Sequence, residues 1–137
     1  MGKPRWLMHA DLVFFLGLFL LAVWRCHGKA CVSAILIGIP SFVLWCIAKM
    51  NLGESFTLRA QARNLVTRGL YSRIRHPVYL FSTIFLFATA LCLHNRWFYL
   101  YFVLVVGVQL WRIRAEERVL LERFGEAYRA YRRLTWF

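Results

Sequence analysis

The run Arg75-His76-Pro77-x-Tyr79 places several polar side chains at the start of an apolar segment. A guanidinium can bind a carboxylate through two parallel hydrogen bonds, and an imidazole ring can donate to the same kind of group. The tyrosine adds an aromatic face that attracts cations. The same residues are also ordinary features of a membrane boundary, where proline begins helices and arginine and tyrosine lie at headgroup level. The run alone therefore leaves a binding role and an anchoring role open.

A second polar cluster follows the next apolar segment and consists of Arg112, Glu116 and Glu117. Acidic side chains beside a membrane span are uncommon and are usually paired or functional. Arg112 and Glu116 lie four residues apart, in the order that is less favourable for a simple structural pair on a helix. The alternative is a solvated charged helix, with Arg114 and Arg118 facing water. Since both clusters fall on the same side of one helical hairpin, we predict that they enclose a polar pocket.

The elements that position these clusters are predicted to be membrane helices. The chain has 137 residues, of which 61% are hydrophobic and 18% aromatic, and this is too apolar for a small soluble fold. We expect an all-α integral membrane protein with about four transmembrane helices, at residues 7–24, 30–48, 78–93 and 97–111. Each run is at or below the roughly 20 residues that cross a bilayer. The last two runs therefore leave open a hairpin that tilts or thins within the membrane.

The distribution of basic residues orients these helices. The first apolar run follows Lys3 and Arg5 and has no small-residue cleavage pattern, so we interpret it as a retained anchor. With both termini in the cytoplasm, all but three of the 18 lysines and arginines lie inside, the exceptions being Arg25, Lys29 and Arg96. The net charge of +12 is then explained by basic residues beside the membrane helices, where anionic lipids attract them. Nucleic acid is not an expected partner, because the basic residues form no separate soluble module.

The sequence after the second cluster has the pattern of an amphipathic helix. Its apolar residues recur at helical spacing, at Ile113, Leu120, Leu121, Phe124, Tyr128 and Tyr131. Basic residues lie opposite this stripe, which predicts a C-terminal cytoplasmic amphipathic helix that lies against the membrane or caps the hairpin. Gly125 is expected to interrupt this helix, because glycine often ends helices.

Four motifs, taken together, indicate a family. They are the runs Leu65-Val66-Thr67-Arg68-Gly69-Leu70-Tyr71, Arg75-His76-Pro77-x-Tyr79, Arg112-x-x-x-Glu116-Glu117 and Leu121-x-x-x-Phe124-Gly125-x-x-Tyr128-x-x-Tyr131. In order, in spacing and in the apolar hairpin between them, these motifs resemble the isoprenylcysteine carboxyl methyltransferase family. The resemblance extends from Asn51 onward and does not depend on the first two spans.

The resemblance implies a membrane methyltransferase that uses S-adenosylmethionine without a Rossmann fold. Residues 1–49 would form two N-terminal spans and residues 50–137 the cofactor-binding catalytic core of a single domain. By position, Arg112 matches the arginine that meets the substrate carboxylate. The positions that match the cofactor site are Gln61, Arg63, Asn64, Leu65, Val66, Tyr71, His76, Pro77, Val78, Tyr79 and Glu116. No metal is implied, and the four cysteines do not have the spacing of a zinc site.

The resemblance also implies a lipophilic or lipidated methyl acceptor, with a carboxylate as its acceptor group, in a multi-pass protein of a microbial inner or plasma membrane. Two other functions stay open from the sequence. Membrane sterol reductases have related histidine-proline features but use NADPH, whose 2′-phosphate would need clustered arginines such as Arg63, Arg68 and Arg73. A non-catalytic membrane protein could retain the same fold. The oligomeric state is left open.

Overall fold

The computed structural model describes residues 10–52, 67 and 69–136. Over this part of the chain it contains four α-helices, α1 (Ala10–Arg25), α2 (Lys29–Leu52), α3 (Pro77–Leu93) and α4 (Arg96–Leu134). A short 3₁₀ turn at Gly69–Ser72 precedes α3. The described residues form no β-strand, so the predicted all-α fold is confirmed.

The helices α3 and α4 form a tight antiparallel hairpin. Pro77 opens α3, where its missing amide proton removes no helical hydrogen bond. At the other end His94 has a left-handed conformation with φ 43°, and its N–H donates to the Ala90 carbonyl. The Asn95 side chain accepts a hydrogen bond from the Trp97 N–H at 2.9 Å and caps α4. Because the connection is so short, the start of α3 lies beside the later part of α4.

An aromatic core joins α1, α2 and α3. The fully buried ring of Phe85 has its centre 5.0 Å from that of Phe19 and 5.2 Å from that of Phe42. Trp45 adds a ring 5.9 Å from Phe85. Packing of this kind stabilises helices in lipid mainly through van der Waals contact. Since α3 packs most extensively against α2, the core fixes the position of the residues at the start of α3.

The outer surface of the helices is strongly apolar. Trp24, Leu36 and Val103 are among many large apolar side chains that are more than half exposed. Within the described residues, α2 and α4 are long and apolar enough to cross a membrane, and no part of the apolar stretch of α4 is buried. An unburied apolar helix is suited to lipid rather than to water. The described part of α1 has 16 residues and α3 has 17. Both are shorter than the roughly 20 residues that cross a bilayer, so the presence of four transmembrane spans stays a prediction.

Polar contacts hold one end of the helices together. The Lys49 ammonium, whose side chain is only 4% exposed, lies 2.6 Å from a carboxylate oxygen of Asp11. This ion pair joins the start of α1 to the end of α2. Gly69 has φ 62° and lies so close to Asn51 that a Cβ at this position would overlap the Asn51 side chain. The end of α2 therefore lies beside the turn that leads into α3.

Candidate functional site

Glu116, on α4, faces the start of α3. The Tyr79 hydroxyl donates a hydrogen bond to one oxygen of the Glu116 carboxylate, and the His76 Nδ1 lies 4.0 Å from the other oxygen. Arg112 lies one turn earlier on α4, with its guanidinium 5.8 Å from the centre of the Tyr79 ring. The fold therefore brings the two clusters of the sequence together, although they lie on different helices.

Glu117 makes a second set of contacts between the same two regions. Its Oε1 accepts a hydrogen bond from the Arg75 Nη1 at 2.9 Å, and the two side chains are only 22% and 16% exposed. The His76 Nε2 lies 3.6 Å from the same oxygen, and the Tyr128 hydroxyl donates to it at 3.5 Å. Glu117 therefore belongs to the interface between the helices and is not a solvated surface residue.

Burial shifts the pKa of two side chains in this site, His76 and Glu116. It lowers the pKa of His76 below its ordinary value of 6.5, although Glu117 acts in the opposite direction. Burial also raises the pKa of Glu116, and this effect is opposed by the Tyr79 hydrogen bond and the Arg112 charge. His76 is therefore mainly neutral at pH 7, with one ring nitrogen that donates and one that accepts. A buried carboxylate of this kind favours a ligand that brings a cation or a hydrogen-bond donor.

The chain after the glutamates folds back toward the site. Gly125 has φ 47° and ψ −116°, which are not helical values, so the predicted interruption at this residue is confirmed. Beyond this bend Tyr128 and Tyr131 are buried, and the Tyr131 hydroxyl donates to the Tyr71 carbonyl oxygen at 2.6 Å. The predicted amphipathic helix thus caps the hairpin.

A short backbone pairing closes the same region. The Trp136 N–H donates to the Arg73 carbonyl at 2.7 Å, and the Arg75 N–H donates to the Trp136 carbonyl at 2.9 Å. These bonds form an isolated parallel bridge between Ile74 and Trp136. The C-terminal segment therefore fixes the backbone that presents Arg75 and His76 to the two glutamates.

The predicted site residues have different surroundings. Five of them lie outside the described residues, namely Gln61, Arg63, Asn64, Leu65 and Val66. Tyr71 and Pro77 are buried, and the Val78 side chain packs against the aromatic core. His76, Tyr79, Arg112 and Glu116 form the polar group described above. Their roles in binding stay predictions.

Gln109 makes polar contacts between α3 and α4 that were not predicted from the sequence. Its Oε1 accepts a hydrogen bond from the Thr83 hydroxyl at 2.5 Å, and its Nε2 donates to the Ser82 Oγ at 3.3 Å. These bonds join α3 to α4 one turn beyond Tyr79. A single glutamine inside an apolar run was the available signal, because polar side chains in lipid usually pair between helices.

Arg75 offers a position for a ligand group. Its Nη1 contacts Glu117, but its Nε–H is buried and has no hydrogen-bond partner among the described residues. Buried donors are nearly always satisfied, so a ligand carboxylate at this point would complete the arrangement. The Glu116 carboxylate has room for further donors after its bond to Tyr79. The residues therefore fit a ligand that carries both a cationic and an anionic group.

Fold and site together define an all-α protein of the membrane type, with a compact group of charged side chains at one end of a helical hairpin. Comparison with known families gives a more specific assignment. The sequence model of the phospholipid methyltransferase family matches residues 26–127, a range that includes both charged clusters and the hairpin between them. The chain belongs to this family.

The chain is also similar to the protein-S-isoprenylcysteine O-methyltransferase of Schizosaccharomyces pombe, with 38% identity over 96 residues. The matched region is 63% of this chain and 39% of the S. pombe protein. The predicted resemblance to the isoprenylcysteine carboxyl methyltransferase family is thereby confirmed. The chain covers about two fifths of the length of this curated relative.

Proposed function

We propose that this protein is a multi-pass membrane methyltransferase that transfers a methyl group from S-adenosylmethionine to a lipophilic acceptor. The observation that carries the proposal is the meeting of Arg75, His76 and Tyr79 with Glu116 and Glu117 at one end of the α3–α4 hairpin. Membership in the phospholipid methyltransferase family and the similarity to an O-methyltransferase support the reaction class.

The methyl donor would be held through complementary charge. Its amino-acid group carries an ammonium and a carboxylate, which match the Glu116 carboxylate and the buried Arg75 Nε–H. Tyr79 offers an aromatic face to a sulfonium cation. When bound, the donor supplies a methyl group on positively charged sulfur, which a nucleophile can attack. In this proposal residues 61 and 63–66 complete the cofactor site.

Arg112 is proposed to orient the acceptor, which is a carboxylate on a lipophilic or lipidated molecule. If S-adenosylmethionine is bound, an acceptor carboxylate held by Arg112 would take its methyl group, with the carbon–sulfur bond broken, and would leave a methyl ester and a neutral thioether. Opposite charges on acceptor and donor are lost in this step, so a pocket with little water favours it. Positioning by Arg112 and exclusion of water by the C-terminal cap would supply much of the rate.

The proposal places the charged end of the helices, and both termini, in the cytoplasm. The Asp11–Lys49 ion pair supports a common side for the start of α1 and the end of α2. The Arg75–Glu117 pair does the same for the start of α3 and the later part of α4. Most lysines and arginines lie on this same side in the proposed topology, and the positive-inside rule then assigns it to the cytoplasm.

Titration calorimetry on the purified protein in detergent tests the proposed cofactor. We expect binding of S-adenosylmethionine and none of NADPH. Glu116→Gln keeps the shape of the side chain and removes its charge, so it should weaken S-adenosylmethionine binding by about 1–3 kcal/mol. Glu122→Gln is the matched control, because Glu122 is exposed on the same helix, and it should bind as the wild type does.

Each alternative outcome of the calorimetry has a distinct meaning. Binding of NADPH alone would replace the proposal with a reductase, and binding of neither compound would indicate a non-catalytic protein. Equal losses in the Glu116 and Glu122 variants would contradict the contact assigned to Glu116. Circular dichroism of each variant checks that the fold is retained.

A further inference from the structure

A cavity of about 460 Å³ lies at the end of the helices opposite to the charged site. It is formed where α1 ends, α3 ends and α4 begins. Its polar lining comes from Arg25 and Asn95, and its aromatic lining from Trp97, Phe98 and Tyr101. The volume is within the range of small-ligand sites, which is about 300–1,000 Å³.

The positive charge at this cavity is not balanced by any acidic residue that the structure describes. Arg25 is exposed at the end of α1 and makes no ion pair among the described residues. The acidic residues that the structure describes all lie away from this end, at Asp11, Glu116, Glu117, Glu122 and Glu126. A guanidinium beside a cavity with no nearby carboxylate favours an anion from outside the chain.

The aromatic lining indicates where this anion would come from. Trp97 is 67% exposed and Tyr101 is 44% exposed, although both lie beside a cavity. Exposed tryptophan and tyrosine at the ends of membrane helices lie at the level of the lipid headgroups. The phosphates of a bilayer occupy the same level, so a lipid phosphate is the anion that this position favours.

We propose that this cavity binds the phosphate-bearing headgroup of an anionic phospholipid, in the leaflet opposite to the candidate active site. The Arg25 guanidinium contacts two phosphate oxygens through its parallel N–H groups. Asn95 contributes its side-chain amide N–H groups, because the Trp97 N–H occupies only its oxygen. Trp97 and Tyr101 pack against the glycerol and the first part of the acyl chains. This site is independent of the proposed methyl transfer.

Native mass spectrometry of the full chain in detergent tests the proposal, with phosphatidylglycerol as the probe. We expect a one-to-one adduct at lipid concentrations where diacylglycerol with the same acyl chains gives none. Arg25→Gln should weaken this adduct by about tenfold, and Arg25→Lys should have an intermediate effect because it keeps charge and loses the planar fork. Lys29→Gln is the control, since Lys29 is an exposed cation near the same end that does not line the cavity.

Three results would overturn the proposal. Equal losses in the Arg25→Gln and Lys29→Gln variants would show general attraction between lipid and a basic surface. Equally strong adducts with diacylglycerol would show that the phosphate is not recognised. Displacement of the lipid by inorganic phosphate at matched concentration would assign the cavity to the free ion. Unchanged circular dichroism of the Arg25 variants excludes loss of the fold as the cause of a lost adduct.

Discussion

Tyr79, on α3, contacts both Glu116 and Arg112 on α4. Its hydroxyl donates to the Glu116 carboxylate, and its ring lies 5.8 Å from the Arg112 guanidinium. One side chain therefore connects the residue proposed to bind the cofactor with the residue proposed to orient the acceptor. The effects of substitutions at Arg112 have to be separated into binding and turnover, because a shift of Tyr79 would change both.

Arg112→Lys is expected to reduce turnover and leave cofactor binding unchanged. The variant keeps the positive charge but loses the two parallel N–H groups that orient a carboxylate. We expect turnover to fall by about tenfold or more, as loss of one charge-assisted contact would cause. Methyl ester formation on a prenylcysteine analogue measures turnover, and calorimetry with S-adenosylmethionine measures binding.

Arg114→Lys is the control for this experiment, since Arg114 is exposed on the same turn of α4. It should leave both quantities at the wild-type level. If Arg112→Lys weakens S-adenosylmethionine binding as strongly as it reduces turnover, Arg112 acts on the cofactor and not on the acceptor. If the wild type binds the cofactor and esterifies no hydrophobic acid, the acceptor carries a different group.

The α3–α4 hairpin is the element that aligns these residues. Its short turn at His94 and Asn95 sets the register between the helices. Gln109 bonds to Ser82 and Thr83 and holds that register one turn beyond the charged site. In lipid there is little hydrophobic force between helices, so polar contacts and close packing decide how two apolar helices are aligned.

Gln109→Leu is expected to destabilise the hairpin by about 1 kcal/mol, the usual value of a side-chain hydrogen bond between membrane helices. The effect stays small because the Ser82 and Thr83 hydroxyls both lie within hydrogen-bond distance of the Tyr79 carbonyl, so each can donate its proton there when Gln109 is replaced. Denaturation with sodium dodecyl sulfate, followed by circular dichroism, measures the change. Val108→Leu, at an exposed position of the same helix, should not change stability. An equal loss in both variants would contradict the role of Gln109.

At the scale of the whole molecule, the described helices have one end with ion pairs and one end where the cation Arg25 has no ion pair among the described residues. Asp11 with Lys49 and Arg75 with Glu117 lie at the first end, among the described residues. Arg25 lies at the other. The proposed topology also places all but three of the 18 lysines and arginines on the side of the first end, and such a bias is typical of the cytoplasmic side of a membrane. It is the basis for placing the candidate active site on the cytoplasmic side.

Cysteine accessibility in sealed cells tests this orientation. In a variant without the four native cysteines, a single cysteine is placed at His27 or at Arg133, both of which are exposed. A membrane-impermeant maleimide added from outside should label the His27→Cys protein and not the Arg133→Cys protein. After the cells are opened, both should react. Labelling of Arg133→Cys in sealed cells would reverse the proposed topology.

The sequence by itself determined the helical class, the apolar runs, the two charged clusters and the family. These features are local, because the length of an apolar run and the spacing of a motif can be read without knowing the fold. The interruption at Gly125 was also predictable, since glycine readily adopts positive φ.

Only the tertiary structure decided which charges meet. The pairing of Glu117 with Arg75 and of Asp11 with Lys49 depends on how each helix is rotated about its axis. The bonds of Gln109 depend on the register between α3 and α4. Rotation and register are set by packing of the aromatic core and by the short hairpin turn. They involve residues far apart in the chain, and so no local pattern in the sequence specifies them.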